Sequence, residues 1–167
     1  GTDAVMLSGE TSVGKFPNHC VKAMDRIARR MEREPAARFH ELAALTNDRQ
    51  KLAKAAVNMA DDLDAQAIVV FTRAGRLVPE VAWMRPRSAP ILALCPSDAV
   101  ARSLALHRGV RPVVLPWDAG DASDVVERAL QELAAKKLVA KGDTVVVVSS
   151  RSAVEEIADS VQMCRVD

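Results

Sequence analysis

The run Thr144–Ser149, TVVVVS, has no polar side to turn toward water. A strand points successive side chains to opposite faces, so four consecutive valines need cover on both. The run therefore belongs in the middle of a sheet with helices above and below. Comparable runs stand at Gln66–Thr72 (QAIVVFT), Pro90–Cys95 (PILALC) and Arg111–Leu115, and a shorter one closes the chain at Val161–Val166. Helical patterns separate them. Asn47, with Gln50 three residues on, is a capping signal for a helix carrying Leu52, Ala56, Met59 and Leu63. A turn at Gly75 leads to a helix through Trp83, Ser97 caps another running to Leu106, and Asp121 or Ser123 caps one with Val126, Leu130 and Leu133 inward. The expected fold is α/β: a mostly parallel five-stranded sheet covered by helices on both faces.

The amino end reads differently. Asp3–Leu7 is a short apolar run stopped by Ser8-Gly9, which predicts a buried strand, and Pro17 opens a helix lined by Val21, Met24, Ile27 and Met31. Periodicity fades between Pro35 and Leu45, which places a boundary there: residues 1–35 as one piece, residues 36–167 as the main domain. The chain begins with Gly1 and Thr2 and enters an apolar stretch at once, as a piece of a longer protein would.

Charge and composition narrow the function classes. Lys+Arg number 23 and Asp+Glu 22, aromatic residues are 3% and tyrosine is absent, which argues against a nucleic-acid groove. No apolar run approaches the ~20 residues that span a bilayer, so no membrane partner is expected. Cys20, Cys95 and Cys164 lack the paired spacing of a zinc site and read as reduced, buried thiols in a cytoplasmic protein. His19, His40 and His107 share no ligand spacing, so no metal site is expected. Asp61, Asp62 and Asp64 read as hydrated acids near a helix end, and the methionines as core filling.

Two loops carry polar chemistry. Ser8-Gly9-Glu10-Thr11, with Gly14 behind it, follows a predicted strand and offers donors, acceptors and a proton relay; a plain polar turn is the alternative. Thr72-Arg73-Ala74-Gly75-Arg76 also joins strand to helix. A glycine there frees backbone N–H groups, and two guanidinium groups can clamp a phosphate; an ordinary turn with solvated arginines is the alternative. Ser149-Ser150-Arg151-Ser152 is a weaker phosphate candidate because it lacks a glycine.

The opening GTDAVMLSGETSVGKFP, Gly1–Pro17, closely resembles the segment of the pyruvate kinase family that forms the eighth strand, the following loop and the next helix start of a (β/α)8 barrel. The resemblance continues through Phe71–Arg76 (FTRAGR), Val81–Pro86 (VAWMRP), Pro90–Leu94 (PILAL), Leu106–Val110 (LHRGV) and Lys141–Asp143 (KGD). It implies a barrel remnant over 1–35 followed by that family's C-terminal α/β domain. It also implies phosphoryl transfer from phosphoenolpyruvate to ADP in the complete enzyme, with Mg2+ (or Mn2+) and K+ bound by residues upstream and none by this chain. Ser8 and Glu10 would hold water and a proton path beside the substrate. Thr72, Arg73, Gly75 and Arg76 would grip the phosphate of a small-molecule effector. Ala74 and Leu77 replace hydroxyl residues common in effector-responsive members, and Arg151–Ser160 lacks their glycine-rich loop, which weighs against activation by fructose 1,6-bisphosphate. The implied partners are the remainder of such a chain and further copies, a tetramer in the complete enzyme. The rival readings are a free-standing phosphometabolite-binding module and an assembly domain.

Overall fold

The computed structural model describes residues 2–32, 41, 44–116, 122–149 and 159–167, with the side chains of 122 and 123 left aside. The chain divides into two compact units, Gly1–Ala37 and Arg38–Asp167. The linker expected over Pro35–Leu45 and the loop after Ser149 fall largely outside the described residues, as does Asp121.

In the first unit the predicted strand is not formed. Residues 2–8 carry no ladder, and Val5 and Met6 are 63% and 85% exposed. A strand's hydrogen bonds come from another strand, and the described residues here offer only helices, so β propensity has nothing to act on. What forms is one turn, α1 (Gly9–Ser12), and a longer helix, α2 (Pro17–Met31), whose Pro17 occupies the first turn where a missing N–H costs nothing. The predicted stripe exists, yet Val21, Ile27 and Met31 remain more than half exposed. The exposed Asp25–Arg29 pair at 2.9 Å adds little stability.

The second unit begins where Asn47 accepts the Gln50 N–H at 2.9 Å, capping α3 (Asp48–Asp62). The Gln50 side chain reaches back to the Thr46 N–H at 2.9 Å, one residue earlier than a capping box requires, so the reciprocal bond fastens the lead-in. Then come β1 (Ala67–Phe71), α4 (Val78–Trp83), β2 (Ile91–Cys95), α5 (Asp98–Leu104), β3 (Val110–Val114), α6 (Ala122–Ala135), β4 (Thr144–Ser149) and β5 (Ser160–Arg165). Ser97 caps α5 as expected. The α6 helix begins at Ala122, and the two residues expected to cap it are Asp121, outside the described residues, and Ser123, whose side chain is left aside.

The five strands lie in the order β3-β2-β1-β4-β5. Three neighbouring pairs are parallel, with Ile68 beside Ile91 and Val146, while β5 runs antiparallel to β4. Alternation then sorts the core. Ile68, Val70, Ile91, Ala93, Val146 and Val148 face α3, α4 and the α5 residue Leu104. Ala67, Val69, Leu92, Leu94, Val145 and Val147 face α6 through Val126, Ala129, Leu130 and Leu133. Each fully buried side chain of this size contributes about 1.5–3 kcal/mol.

The two sheet edges differ. Ile91 donates to the Gly109 carbonyl and Leu115 to that of Cys95, so odd positions of β3 turn toward β2 and Pro112 sits where an outward N–H would be. That edge has a missing donor at its centre. On β5, Val166 donates to Asp143, so even positions face β4, and Val161, Met163 and Arg165 present their backbone outward with no proline among them.

Candidate functional site

β1 lies at the middle of the sheet, with β2 on one side and β4 on the other, and the chain crosses from one flank to the other between β3 and β4. Ligands of open α/β sheets bind outside the carboxyl ends of the strands at such a reversal. The Thr72–Leu77 loop leaves β1 at that place.

The loop is built by three contacts. The Thr72 N–H donates to Leu94 of β2 at 3.0 Å, extending the ladder one residue past the strand. The Gly75 N–H donates to the Thr72 hydroxyl oxygen at 2.8 Å, which closes the turn. Gly75 takes φ +81°, and a Cβ there would lie 3.1 Å from Leu104 Cδ2, so both conformation and packing select glycine. Thr72 is 93% removed from solvent by its 7% exposure, while Arg73 and Arg76 are exposed. The loop thus brings the four predicted residues together, and the Thr72 hydroxyl that accepts from Gly75 also carries a proton it can donate. Because α4 has only six residues, its dipole is short, and the two guanidinium groups carry the positive charge. Ser149 ends β4 beside this loop and is 7% exposed; Ser150, Arg151 and Ser152 lie outside the described residues.

The first unit holds the other predicted residues. The Ser8 carbonyl accepts from Thr11 N, Ser12 N and Thr11 Oγ1 at 3.0, 3.0 and 2.9 Å, which winds α1 tightly. The Ser8 side chain makes no capping bond. Backbone N–H groups of Glu10 itself and of Ser8 hold the Glu10 carboxyl below the usual carboxylate range. At neutral pH this is an exposed acceptor, suited to ordering water rather than to giving up a proton.

Three sequence readings need correction. Asp61 is not a hydrated acid: it is 8% exposed, accepts the Arg87 backbone N–H at 3.0 Å and pairs with the Arg87 Nε at 3.4 Å. Arg87 also donates to the Asp61 carbonyl at 2.8 Å, and this double fastening holds the 85–88 segment, where Arg85 adopts φ +56°. The partners stand 26 residues apart, so no local pattern announces them. Of the thiols, only Cys95 is buried; Cys20 and Cys164 are half-buried. Burial raises the pKa of Cys95 and of Cys164, keeping both as thiols. Met84 fills core as expected, but Met6, Met31 and Met163 are exposed. Leu104, which shapes the Gly75 turn, was invisible to motif reasoning because it reads as one more helix leucine.

Among the described residues, no group of three or more His, Cys, Asp or Glu side chains is placed to hold a metal ion, and no helix is long and apolar enough to cross a membrane.

The family model described as "Pyruvate kinase, alpha/beta domain" matches residues 50–166. Over 167 residues the chain is 34% identical to pyruvate kinase 2 of Synechocystis, covering 100% of this chain and 28% of that protein. It is 36% identical over 150 residues to the pyruvate kinase of Corynebacterium glutamicum, covering 89% of this chain and 31% of that one. A solved pyruvate kinase from Cryptosporidium parvum superposes with a TM-score of 0.80 at 27% identity, covering 100% of this chain and 34% of the other. The chain thus spans about a third or less of the relatives it matches. By the match over residues 50–166 and by this fold, the chain belongs to the pyruvate kinase family, as a portion containing its C-terminal alpha/beta domain.

Proposed function

We propose that the chain serves as the regulatory and assembly portion of a pyruvate kinase, whose complete form moves a phosphoryl group from phosphoenolpyruvate to ADP and yields pyruvate and ATP in glycolysis. The observation that carries this reading is the Thr72–Arg76 turn, held at the reversal point of the sheet with two exposed arginines. In this reading Thr72, Arg73, Gly75 and Arg76 receive the phosphate of a small phosphorylated effector. Ser8 and Glu10 contribute the last active-site loop, ordering water near the substrate.

The chain by itself does not catalyse. Among the described residues no group of three or more His, Cys, Asp or Glu side chains converges on a point where a divalent cation could sit, and no step is routed through a metal here. The cations belong to the complete enzyme, together with its cytoplasmic location and homotetrameric assembly. The place of β5 at the end of the strand order favours a second role: among the described residues it pairs on one side alone, and another copy can add its own strand on the other.

Thermal shift of the purified chain against sugar phosphates, AMP and inorganic phosphate tests the first role. A ligand that binds the native state alone raises the melting temperature, and Arg73→Ala with Arg76→Ala is expected to remove the rise. A flat response to every phosphate would remove the effector reading and leave assembly. Phosphoenolpyruvate-dependent ATP formation by the purified chain would overturn the claim that it does not catalyse.

A further inference from the structure

The turn that carries Ser8 and Glu10 ends abruptly, and its end leaves an exposed carbonyl without an intrahelical donor. In a longer helix the Glu10 oxygen would accept from the residue four positions on, which is Gly14. Here α1 stops at Ser12, the Val13 N–H goes to Gly9 at 3.1 Å, and no backbone donor among the described residues reaches Glu10. The Cys20 thiol does: its Sγ lies 3.6 Å from the Glu10 carbonyl oxygen, across from the first turns of α2. Gly14 passes so close to the same carbonyl that a Cβ there would collide with the oxygen and lie 2.8 Å from its carbon. One residue supplies the missing donor, and the other leaves the room for it.

We infer that Cys20 is a positioning residue for the Ser8–Glu10 loop, its thiol fixing the Glu10 peptide to α2 while Gly14 keeps the approach open. The thiol is not a nucleophile in this role. It acts through the backbone: with the Glu10 carbonyl tied down, the Glu10–Thr11 peptide plane is held, which limits the turn that the Ser8 and Glu10 N–H groups, both facing the Glu10 carboxylate, belong to. The catalytic meaning rests on the reading of Ser8 and Glu10 as an active-site loop; the positioning does not.

The test is made by NMR on the whole 167-residue chain. Cys20→Ala is expected to speed amide exchange of Ser12 and Val13 about two- to fivefold, as loss of one weak S–H···O contact does, and to move the Glu10 carboxyl titration up toward its usual range. Cys20→Ser, which keeps a donor, should restore both, and α2 helicity should be unchanged in each variant. Gly14→Ala should loosen the turn with the thiol still present. The inference falls if Cys20→Ala exchanges and titrates as the parent does, or if Cys20→Ser behaves like Cys20→Ala. Phosphoryl transfer unaffected by Glu10→Gln in a complete enzyme carrying this segment would instead sink the active-site reading and leave the exchange result standing.

Discussion

Two apolar runs of equal length, Asp3–Leu7 and Ala67–Phe71, meet opposite fates in one chain. The second lies between β2 and β4, with Ala67, Ile68, Val69 and Val70 all at 0% exposure. The first forms no ladder and leaves Met6 85% exposed. The two helices that follow show the same contrast, since α3 buries Ala53, Ala56, Val57 and Ala60 while α2 buries nothing. Local propensity writes a strand or an amphipathic face; only neighbours turn it into stability.

The contrast is sharpest under truncation of side chains. Ile68→Ala is expected to cost about 2–5 kcal/mol in denaturant melts, whereas Met6→Ala should stay within about 0.5 kcal/mol. Equal effects would break the distinction between the two units. Amide exchange gives the same comparison without mutation: Val145–Val148 should exchange far more slowly than residues 2–15.

Next in size is the join between α3 and the 85–88 segment. Asp61→Ala strands the Arg87 N–H and is expected to cost about 1–3 kcal/mol, against about 0–1 kcal/mol for Asp25→Ala in the exposed pair of α2. Gly75→Ala should cost about 1–2 kcal/mol through its left-handed backbone and should weaken any phosphate response along with it. The smallest effect is that of pH. A thiol whose folded pKa is raised favours folding while protonated, so the Cys95 contribution is full below the ordinary thiol range and fades as pH rises through and above it. Cys95→Ala should flatten that alkaline decline in a melting series.

How much of this was legible depended on the range of the interaction. Valine runs declared the central strands, because a continuous apolar segment has few other places to go, and Asn47 and Ser97 declared helix starts through bonds three residues long. The turn at Gly75 was legible for the same reason. The strand expected at Asp3–Leu7 is not formed because pairing is a property of two segments, and the resemblance to the eighth strand of a barrel already implied that its partner strands belong to the rest of such a barrel. The antiparallel sense of β5, the Asp61–Arg87 fastening and the Leu104 contact under Gly75 join positions far apart in the chain. The Cys20 thiol was placed among the buried cysteines because nothing nearby marks a carbonyl ten residues earlier as lacking its donor.

Pro112 has a consequence for architecture on a larger scale. A sheet able to accept a neighbour along either side can grow without limit, as fibres do. With one flank blunted by an imino acid, the β3 side lacks at its centre the donor that a further strand would need, whereas β5 keeps its outward backbone donors. The ring nitrogen of a single residue thereby makes the two flanks of the sheet unequal as templates for a further strand.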